Sequence, residues 1–546
     1  HMNVTLQAIC MIATIALLLA FIHVPLGTWM YRCFTDERDW APERLIYRAV
    51  GVDPRVEQGW RTYAIASVMF GVASVVLLFA LIMAQGVLPW GLGRSQDWHT
   101  AFNTAVSFTT NTNWQTYGGE SGAGYTVQMA GLTVQNFVSA ATGIAVAVAL
   151  CRAIARSNAA TIGNFWVDLV RACTRILLPI AFVGALVLVA GGVIQNLSSP
   201  HDVTTLVGGS QTIQGGPVAS QEVIKLLGTN GGGFFNANSA HPFENPNAWT
   251  NLFEILLVLA IPFSLPWMYG LMVGDRRQGA VFTTAMGALF TLSAGLGIWA
   301  ESSGALGSME GKEQRFGIVG SVLFGTATTG TSTGGVNMMH DSMSPLGGGL
   351  MMLNMMLGEV SPGGVGTGLY NIIIFALLTV FIAGLMVGRT PELLGKAIGR
   401  REITYSALAV VVMPALVLMF TAAGVVLPVA KDALLNHGPH GLSEMMYAYT
   451  SASNNNGSAF AGLAADQPYL NLTLAACMFL GRFLPIVLVL AVAGALVSQQ
   501  RRPATAGTMP THGPVFTSLL VGIIVIVAGL TFFPSLALGP IAEALS

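Results

Sequence analysis

The sequence predicts an all-α polytopic membrane protein in which four repeats of helix, pore helix, polar loop and helix surround one pore, with a flanking helix at each end. Composition gives the first support: of 546 residues, 53% are hydrophobic and only 9% are charged, whereas soluble domains are about 25% charged. The second support is a recurring pattern in which an apolar stretch runs into a small, uncharged loop and another apolar stretch follows. The four loops occupy residues 109–115, 229–233, 329–335 and 451–457.

Ten apolar runs approach or exceed the length of about 20 residues that crossing the hydrocarbon core requires. They lie at 3–31, 62–84, 125–150, 172–195, 250–273, 280–300, 366–388, 403–428, 469–497 and 514–540. Shorter apolar runs precede the polar loops, at 98–109, 219–228, 316–328 and 442–450. Because these runs are too short to span, they predict re-entrant pore helices.

Recurrent spacing supports the repeat. The distances from Asn111 to Cys151, from Asn230 to Gly270 and from Asn454 to Gly494 are all 40 residues, whereas Ser332 to Gly384 is 52. The third repeat therefore carries about a dozen extra residues, which fall between Pro345 and Gly368. The predicted units are an N-terminal flanking helix and cytoplasmic loop (1–61), pore repeats at 62–156, 157–278, 279–402 and 403–502, and a C-terminal flanking helix (503–546).

The distribution of basic residues predicts the orientation. Cytoplasmic loops of membrane proteins carry an excess of Lys and Arg. Of the 24 Lys and Arg residues here, 18 fall in one set of connecting loops, which we expect to be cytoplasmic. The six exceptions are Arg94, Lys225, Lys312, Arg315, Lys431 and Arg482. Ten spans then place both termini on the outer side, and the four polar loops open from that side.

The loops predict a cation path. Irregular backbone at membrane depth is tolerated where it lines a water-filled path, and rings of backbone carbonyls can replace the hydration shell of potassium. The loops carry no Asp or Glu, the ligands typical of calcium sites, so a large, weakly hydrated monovalent cation fits better. Small residues would expose the backbone to the ion, and short polar side chains would add oxygens or brace the loops. These residues are Gly231, Gly232, Gly334 and Gly457, and Thr112, Asn113, Ser332, Asn454 and Asn455.

Arg482 lies about thirteen residues into the run 469–497. A charged residue in a membrane span is a functional hypothesis by default, and Glu359 is its predicted partner. A structural ion pair that only locks the irregular third segment remains the alternative. The Met- and Gly-rich stretch 338–356 could form a gate below the filter, or a poorly packed surface loop.

Other motifs indicate other classes of protein. Residues 330–334 match G-x-S-x-G around Ser332, and His340 and Asp341 follow, but the nucleophile elbow of hydrolases requires a strand–turn–helix context. His437 and His440 could bind a metal, although a solvated outer loop is favoured. There is no Walker A string and no Asp-Lys-Thr-Gly phosphorylation motif. We therefore expect no nucleotide to bind this chain and energy to come from a partner. No basic cluster suggests nucleic acid.

Several strings together resemble one family. They are Thr-Asn-Thr-Asn-Trp-Gln (110–115), Thr-Asn-Gly-Gly-Gly-Phe-Phe-Asn (229–236), Met-His-Asp-Ser (339–342), Ser-Asn-Asn-Asn-Gly-Ser-Ala-Phe-Ala-Gly (453–462), Gly-Arg-Thr-Pro-Glu (388–392) and Thr-His-Gly-Pro (511–514). Over essentially the whole chain, the sequence resembles the potassium-binding subunit of the bacterial Kdp potassium-transporting ATPase.

The resemblance implies a channel-like, non-catalytic subunit of the potassium transporter superfamily in the bacterial plasma (inner) membrane, with K⁺ as the transported ion. It implies three partners: a P-type ATPase catalytic subunit, a single-span accessory subunit and a small single-span peptide. It implies roles near the path below the filter for Glu359, Arg389 and Arg482. The implied filter comprises Asn111, Thr112, Asn113, Gln115, Asn230, Gly231, Gly232, Ser332, Thr333, Gly334, Asn454, Asn455 and Gly457. An autonomous potassium channel or cation symporter of the same fold remains the main alternative.

Overall fold

The computed structural model describes residues 3–303 and 309–546. Within these residues, ten helices are long and apolar enough to cross a membrane. In chain order, these first to tenth spans are Val4–Thr35, Trp60–Met83, Val127–Ala155, Phe165–Ala190, Ala248–Val273, Arg276–Ser302, Thr367–Met386, Arg400–Val426, Pro468–Val497 and Gly513–Leu545. Each overlaps one of the ten predicted apolar runs, so the predicted number and order of spans are confirmed.

A shorter helix leads into each polar loop, as predicted. The first to fourth pore helices are Trp98–Thr109, Val218–Leu227, Gly317–Gly330 and Gly438–Ser453. In the second pore helix only Ser220 is not fully buried. Helices this short and this buried lie inside a ring of other helices, away from lipid. The four-repeat architecture is confirmed, whereas the exact boundaries of the repeats stay a prediction.

Burial separates inner from outer spans. The most hydropathic windows of the third, fifth, seventh and ninth spans are 83%, 78%, 61% and 61% buried, whereas those of the first, eighth and tenth are 11%, 17% and 28% buried. Each of the four inner spans is the one that follows a polar loop. The third span packs closely because Ala140–Leu150 is made mostly of small residues, which allow helix backbones to approach each other.

The remaining elements are short. Helices occur at Ala41–Val50, Gly119–Gly122, Pro345–Met356, Pro428–Lys431 and Ala542–Leu545. Single 3₁₀ turns lie at Gln85–Val87, Asn238–Ala240 and His340–Ser342, and π-helical segments interrupt three spans at Val127–Thr133, Ala172–Leu177 and Ala537–Ile541. Two antiparallel hairpins pair His201–Thr204 with Ser210–Ile213 and Glu392–Leu393 with Lys396–Ala397. These hairpins are small additions to an otherwise helical fold.

The extra residues of the third repeat form the inserted helix, Pro345–Met356, followed by an irregular segment, residues 357–366, which we call the crossing segment. Ser344 caps the inserted helix by accepting a hydrogen bond from Gly347 N at 3.1 Å. Asn354 ties its other end to the third pore helix by donating to Thr329 Oγ1 at 3.0 Å. Met351, Met352 and Met355 are fully buried, so this stretch is not the poorly packed surface loop considered as an alternative.

Replacing Asp168 by Asn should destabilise the protein strongly. Arg152 donates to both oxygens of Asp168 at 2.6 Å, and the Asp168 side chain is 1% exposed. Removing one partner of a buried pair leaves the other charge uncompensated, at a cost of about 3–5 kcal/mol. Thermal unfolding in detergent should show a melting temperature several degrees lower, on the order of 5 °C.

Glu57→Gln is the matched control, because Glu57 pairs with Arg156 at 2.7 Å but its side chain is 45% exposed. An exposed pair contributes about 0–1 kcal/mol, so this variant should melt close to the wild type. Equal shifts in the two variants would contradict the importance of burial.

His440 should make the stability depend on pH. Its ring nitrogens lie 2.7 Å from Asp341 Oδ1 and 2.8 Å from Glu543 Oε1. The hydrogen bond to Asp341, with help from Glu543, raises the pKa of His440 from 6.5 to about 9 against the opposing effect of burial. A raised folded-state pKa contributes stability that is complete below the unfolded value and is lost as the pH rises through the folded value.

The melting temperature of the wild type should therefore exceed that of His440→Gln most at about pH 6, and the difference should vanish near pH 10. His437→Gln is the control, since the exposed His437 side chain forms no ion pair with any described residue. A difference that grows with pH would show that His440 is neutral in the folded protein.

Candidate functional site

The four polar loops meet at Gly231. A β-carbon on this residue would lie 2.2 Å from the carbonyl oxygen of Thr112, 2.4 Å from that of Asn456 and 2.8 Å from that of Thr333. These three carbonyls come from the other three loops, so all four loops converge on one point. Only glycine leaves room for such close approach of backbone groups.

Neighbouring loops also touch each other around this point. A β-carbon on Gly334 would lie 2.0 Å from Asn456 O, one on Gly457 would lie 2.0 Å from Thr112 O, and one on Gly232 would lie 2.5 Å from Asn113 O. The loops therefore form a closed ring, which we call the carbonyl ring and define by the residues Thr112, Gly231, Thr333 and Asn456.

The carbonyl oxygens of the ring accept no hydrogen bond from any described residue. Buried carbonyls are nearly always paired. A cluster of unpaired carbonyls in a buried position is what a site for a desolvated cation requires, because the oxygens replace its water. The C-terminal ends of the four pore helices adjoin the ring, and their dipoles add a further attraction for positive charge.

Left-handed residues shape each loop. They are two positions apart in the first, third and fourth loops, at Asn111 and Asn113, Ser332 and Gly334, and Asn455 and Gly457. In the second loop they are Thr229 and Gly232, three positions apart. The second loop thus contains one residue more than the others, and the four-fold symmetry of the ring is imperfect.

Side chains of the loops brace neighbouring loops instead of facing the centre. Asn111 Nδ2 donates to Thr229 O at 2.8 Å, Asn455 Nδ2 donates to Thr112 Oγ1 at 3.0 Å, and Gly233 N donates to Gln115 Oε1 at 3.0 Å. These bonds join the first loop to the second and the fourth. The short polar side chains were expected to add oxygens or to brace the loops, and these bonds are braces around a ring of backbone carbonyls.

The remaining predicted residues bond behind the loops. Asn113 donates to Asn136 Oδ1 at 2.7 Å, and Ser139 Oγ donates to Asn230 Oδ1 at 3.1 Å. Asn454 donates to Thr450 O of its own pore helix at 2.9 Å, and Thr333 Oγ1 lies 2.6 Å from Thr331 Oγ1.

Asn456 is the one ring residue that is not among the predicted filter residues. Its carbonyl belongs to the ring, and its amide donates to Thr328 O of the third repeat at 2.9 Å. The missed signal was the position of the closing glycine. Each of the four ring residues is directly followed by a left-handed residue; in the fourth loop that residue is Gly457, so the ring residue is Asn456.

A cavity lies on each side of the ring. The outer cavity, about 360 Å³, is lined by residues of all four loops, including Gln115, Gly232, Gly334 and Gly457. The inner cavity, about 70 Å³, has room for a few water molecules and begins at Asn454 and Asn455. In the fourth loop, the residues that line the inner cavity precede in sequence those that line the outer cavity. The two cavities therefore lie on opposite sides of the ring.

The crossing segment passes beneath the ring on the inner side. Gly363 N donates to Gly330 O at 2.7 Å, and Val365 N donates to Thr229 Oγ1 at 3.0 Å. A β-carbon on Gly364 would lie 3.1 Å from Thr331 O and 3.3 Å from Ser332 Oγ. The crossing segment therefore lies directly against the bases of the second and third loops.

Glu359 and Arg482 both line the inner cavity, but the predicted direct ion pair between them is not formed. Arg482 instead donates to the carbonyl of Ser139 at 2.8 Å and to Thr367 Oγ1 at 3.1 Å. Arg482 thus joins the third, seventh and ninth spans. Arg389 lies elsewhere: it is exposed after the seventh span and donates to Thr508 O at 3.4 Å, so it does not line this cavity.

The competing motifs lack the geometry that their chemistry needs. Ser332 follows a helix and turns beneath the ring, without the strand of a nucleophile elbow. His340 Nδ1 and the hydroxyl oxygen of Tyr447 lie 2.7 Å apart and share a hydrogen bond. Among the described residues, no group of three or more His, Cys, Asp or Glu side chains could hold a metal ion.

Comparison with known proteins agrees with this arrangement. The family model described as potassium-transporting ATPase A subunit matches residues 13–545. The potassium-transporting ATPase potassium-binding subunit of Clavibacter michiganensis subsp. michiganensis is 57% identical over 99% of this chain and 100% of its own length. That of Streptomyces coelicolor is 55% identical over 100% of both chains.

Among solved structures, the potassium transporter TrkH from Vibrio parahaemolyticus superposes with a TM-score of 0.55, covering 88% of this chain and 97% of its own, at 14% identity. At this identity the likeness concerns the fold alone. The match of the family model over nearly the whole chain, together with relatives of more than half identity, shows that this chain belongs to the potassium-transporting ATPase A subunit family.

Proposed function

We propose that this chain binds and translocates K⁺ as a subunit of an ATP-driven, high-affinity potassium uptake complex. The observation that carries the proposal is the carbonyl ring of Thr112, Gly231, Thr333 and Asn456, whose buried oxygens accept no hydrogen bond from described residues. A ring of neutral carbonyls favours a weakly hydrated monovalent cation over a divalent one, which prefers carboxylates. The relatives are named potassium-binding subunits of potassium-transporting ATPases, which agrees with this chemistry.

The proposed route has three steps. K⁺ enters the outer cavity with its water, exchanges that water for carbonyls in the ring, and regains water in the inner cavity. From there it passes to a P-type ATPase catalytic subunit. Because this chain has no nucleotide-binding or phosphorylation motif, that partner supplies the ATP hydrolysis. A single-span accessory subunit and a small single-span peptide complete the proposed complex.

The crossing segment is the proposed gate. It lies between the ring and the inner cavity, where Gly363 and Val365 bond to residues at the base of two loops. An ion can reach the inner cavity only when this segment moves aside. Arg482 is placed in the same mechanism, because it holds the inner spans on either side of the cavity through Ser139 and Thr367.

We propose that the protein lies in the bacterial plasma (inner) membrane with both termini on the outer side. The support is the concentration of Lys and Arg in one set of loops. The ring would then open towards the outside, as an uptake system requires.

Binding and flux measurements test the proposal against an autonomous channel or symporter. K⁺ titrated calorimetrically into the purified full-length chain should bind in the presence of excess Na⁺. In vesicles, the chain alone should carry little K⁺, and uptake should require ATP and the ATPase subunit. Absence of K⁺ binding would overturn the proposal, and fast passive flux through the chain alone would favour the autonomous transporter.

Gly231→Ala should abolish K⁺ binding while leaving the fold intact. The new methyl group would lie within 2.8 Å of three ring carbonyls, so it would fill the point where they converge. We expect the affinity for K⁺ to fall by at least about a hundredfold, or about 2.7 kcal/mol, measured by calorimetry. Gly287→Ala is the control, because nothing lies within 4 Å of its β-carbon position. Retained binding in Gly231→Ala would place the cation site elsewhere.

Arg482→Met should separate binding from turnover. Arg482 lines the inner cavity and bonds to Ser139 and Thr367, not to a ring residue, so the KM for K⁺ should stay within about twofold of the wild type. The turnover number of K⁺-dependent ATP hydrolysis by the complex should fall by at least about tenfold.

The double exchange of Glu359 and Arg482 should not restore turnover, because Arg482 bonds to Ser139 and Thr367 and not to Glu359. Recovery in the double exchange would indicate that the two residues form a direct ion pair during transport.

A further inference from the structure

One position of each pore helix has the same relation to its loop. The carbonyl of Ser107 accepts the N–H of Thr112 five residues later, at 3.0 Å. The carbonyl of Lys225 accepts from Asn230 in the same way at 2.7 Å. Thr328 and Ser451 repeat the bond to Thr333 and Asn456, at 3.1 and 2.8 Å. These four residues are therefore structural equivalents, which we call the brace positions.

At three brace positions the side chain is a hydroxyl that holds the outgoing loop. Ser107 Oγ donates to Trp114 O at 2.7 Å, and Thr328 Oγ1 donates to Gly335 O at 2.6 Å. Ser451 Oγ accepts from Gly457 N at 2.9 Å. In each case the bond fixes the backbone just beyond the ring residue, which sets where the ring carbonyl points.

The second repeat has a lysine instead. Lys225 is 1% exposed, and its Nζ lies 2.7 Å from Glu222 Oε2 and 3.9 Å from Glu244 Oε1. Glu244 in turn accepts the N–H of Phe234 at 2.7 Å. The brace of the second loop is thus a relay from Lys225 through Glu244 to Phe234, just beyond the three glycines 231–233.

The longer brace matches the longer loop. The second loop has an extra residue between its left-handed positions and three successive glycines, and the side chain at its brace position is longer than the hydroxyls of the other three. The Lys225 chain also passes the third loop, since a β-carbon on Gly335 would lie 3.4 Å from Lys225 Cε and 3.4 Å from Gly232 O. Lys225 therefore lies against two of the four loops.

A buried ammonium beside a cation path would repel the ion unless it were compensated. Glu222 and Glu244 pair with Lys225, and Glu254 of the fifth span lies within electrostatic reach of all three. Carboxylates thus outnumber the ammonium in this cluster. The cluster can fasten the loop without opposing a cation in the ring.

We propose that Lys225 and Glu244 are positioning residues that determine the affinity and ion discrimination of the carbonyl ring by bracing its second loop. This inference rests on the proposed function, since it assigns a cause to the K⁺ affinity of the same ring. Loosening the relay would let Gly231 and Gly232 shift, and the ring would lose the spacing that distinguishes K⁺ from Rb⁺.

The test measures dissociation constants of the purified full-length chain for K⁺ and for Rb⁺ by calorimetry. The variants are Glu244→Gln, and Lys225→Met combined with Glu222→Gln so that one charge of each sign is removed. In the double variant the Kd for K⁺ should rise at least about tenfold, and the ratio of the Rb⁺ and K⁺ constants should approach one. Glu244→Gln keeps an acceptor for Phe234 N, so its effect should be smaller. The Kd for K⁺ should rise about threefold, and the ratio of the Rb⁺ and K⁺ constants should fall towards one by about the same factor.

Lys312→Met is the matched control, because Lys312 pairs with Glu301 at 2.8 Å with both side chains buried, but neither residue occupies a brace position. It should lower the melting temperature and leave both dissociation constants unchanged. Native affinity and a native Rb⁺/K⁺ ratio in Glu244→Gln, or in a folded double variant, would overturn the inference. Failure of the wild type to bind K⁺ would instead overturn the proposed function.

Discussion

The structure depends on one constraint: four backbone carbonyls must stay unpaired at membrane depth while the loops that carry them converge on one point. An unpaired carbonyl in an apolar environment costs several kcal/mol, so the surrounding groups must prevent the loops from relaxing into hydrogen bonds of their own. The pore helices, the inner spans and the brace positions all serve this purpose. The small side chains of the third span let Ser139 reach both Asn111 and Asn230, so helix packing and loop geometry are coupled.

The same constraint explains why the ring is only approximately four-fold. Each loop must deliver one carbonyl, but the sequence that delivers it differs. The second loop contains one more residue and is held by a buried ion pair, whereas each of the other loops is held by a hydroxyl. The third repeat adds the inserted helix and the crossing segment. Symmetry is thus kept at the carbonyls, where the ion would bind, and abandoned behind and below them.

Hydropathy, length and spacing predicted the spans and the pore helices because these properties are local. The choice among Asn454, Asn455 and Asn456 was not predictable in this way. Three identical side chains differ only in which of them adopts the left-handed conformation, and that depends on contacts with Thr112 of the first repeat and Met478 of the ninth span. Lys225 was counted among the outer-loop cations. Its burial is a matter of tertiary packing, and besides the nearby Glu222 it involves Glu244, nineteen residues away. For Arg482, the sequence could indicate that the charge needs a partner, but not that this partner would be a backbone carbonyl.

The contacts also decide which part of the molecule can move. The loops of the ring hold each other in place. A β-carbon added to the ring glycines would lie only 2.0–2.5 Å from carbonyl oxygens of neighbouring loops, and side-chain hydrogen bonds also join the loops. The ring therefore cannot open one loop at a time. Two hydrogen bonds join the crossing segment to the loop bases: Gly363 N donates to Gly330 O, and Val365 N donates to Thr229 Oγ1. Each hydrogen bond contributes about 0.5–1.5 kcal/mol net to stability. The free energy of breaking these two bonds is therefore similar to the coupling free energy between distant sites in proteins, which is roughly 1–3 kcal/mol. In the proposed function, a partner would displace the crossing segment while the ring keeps its geometry, and selection and gating would act in series on one ion path.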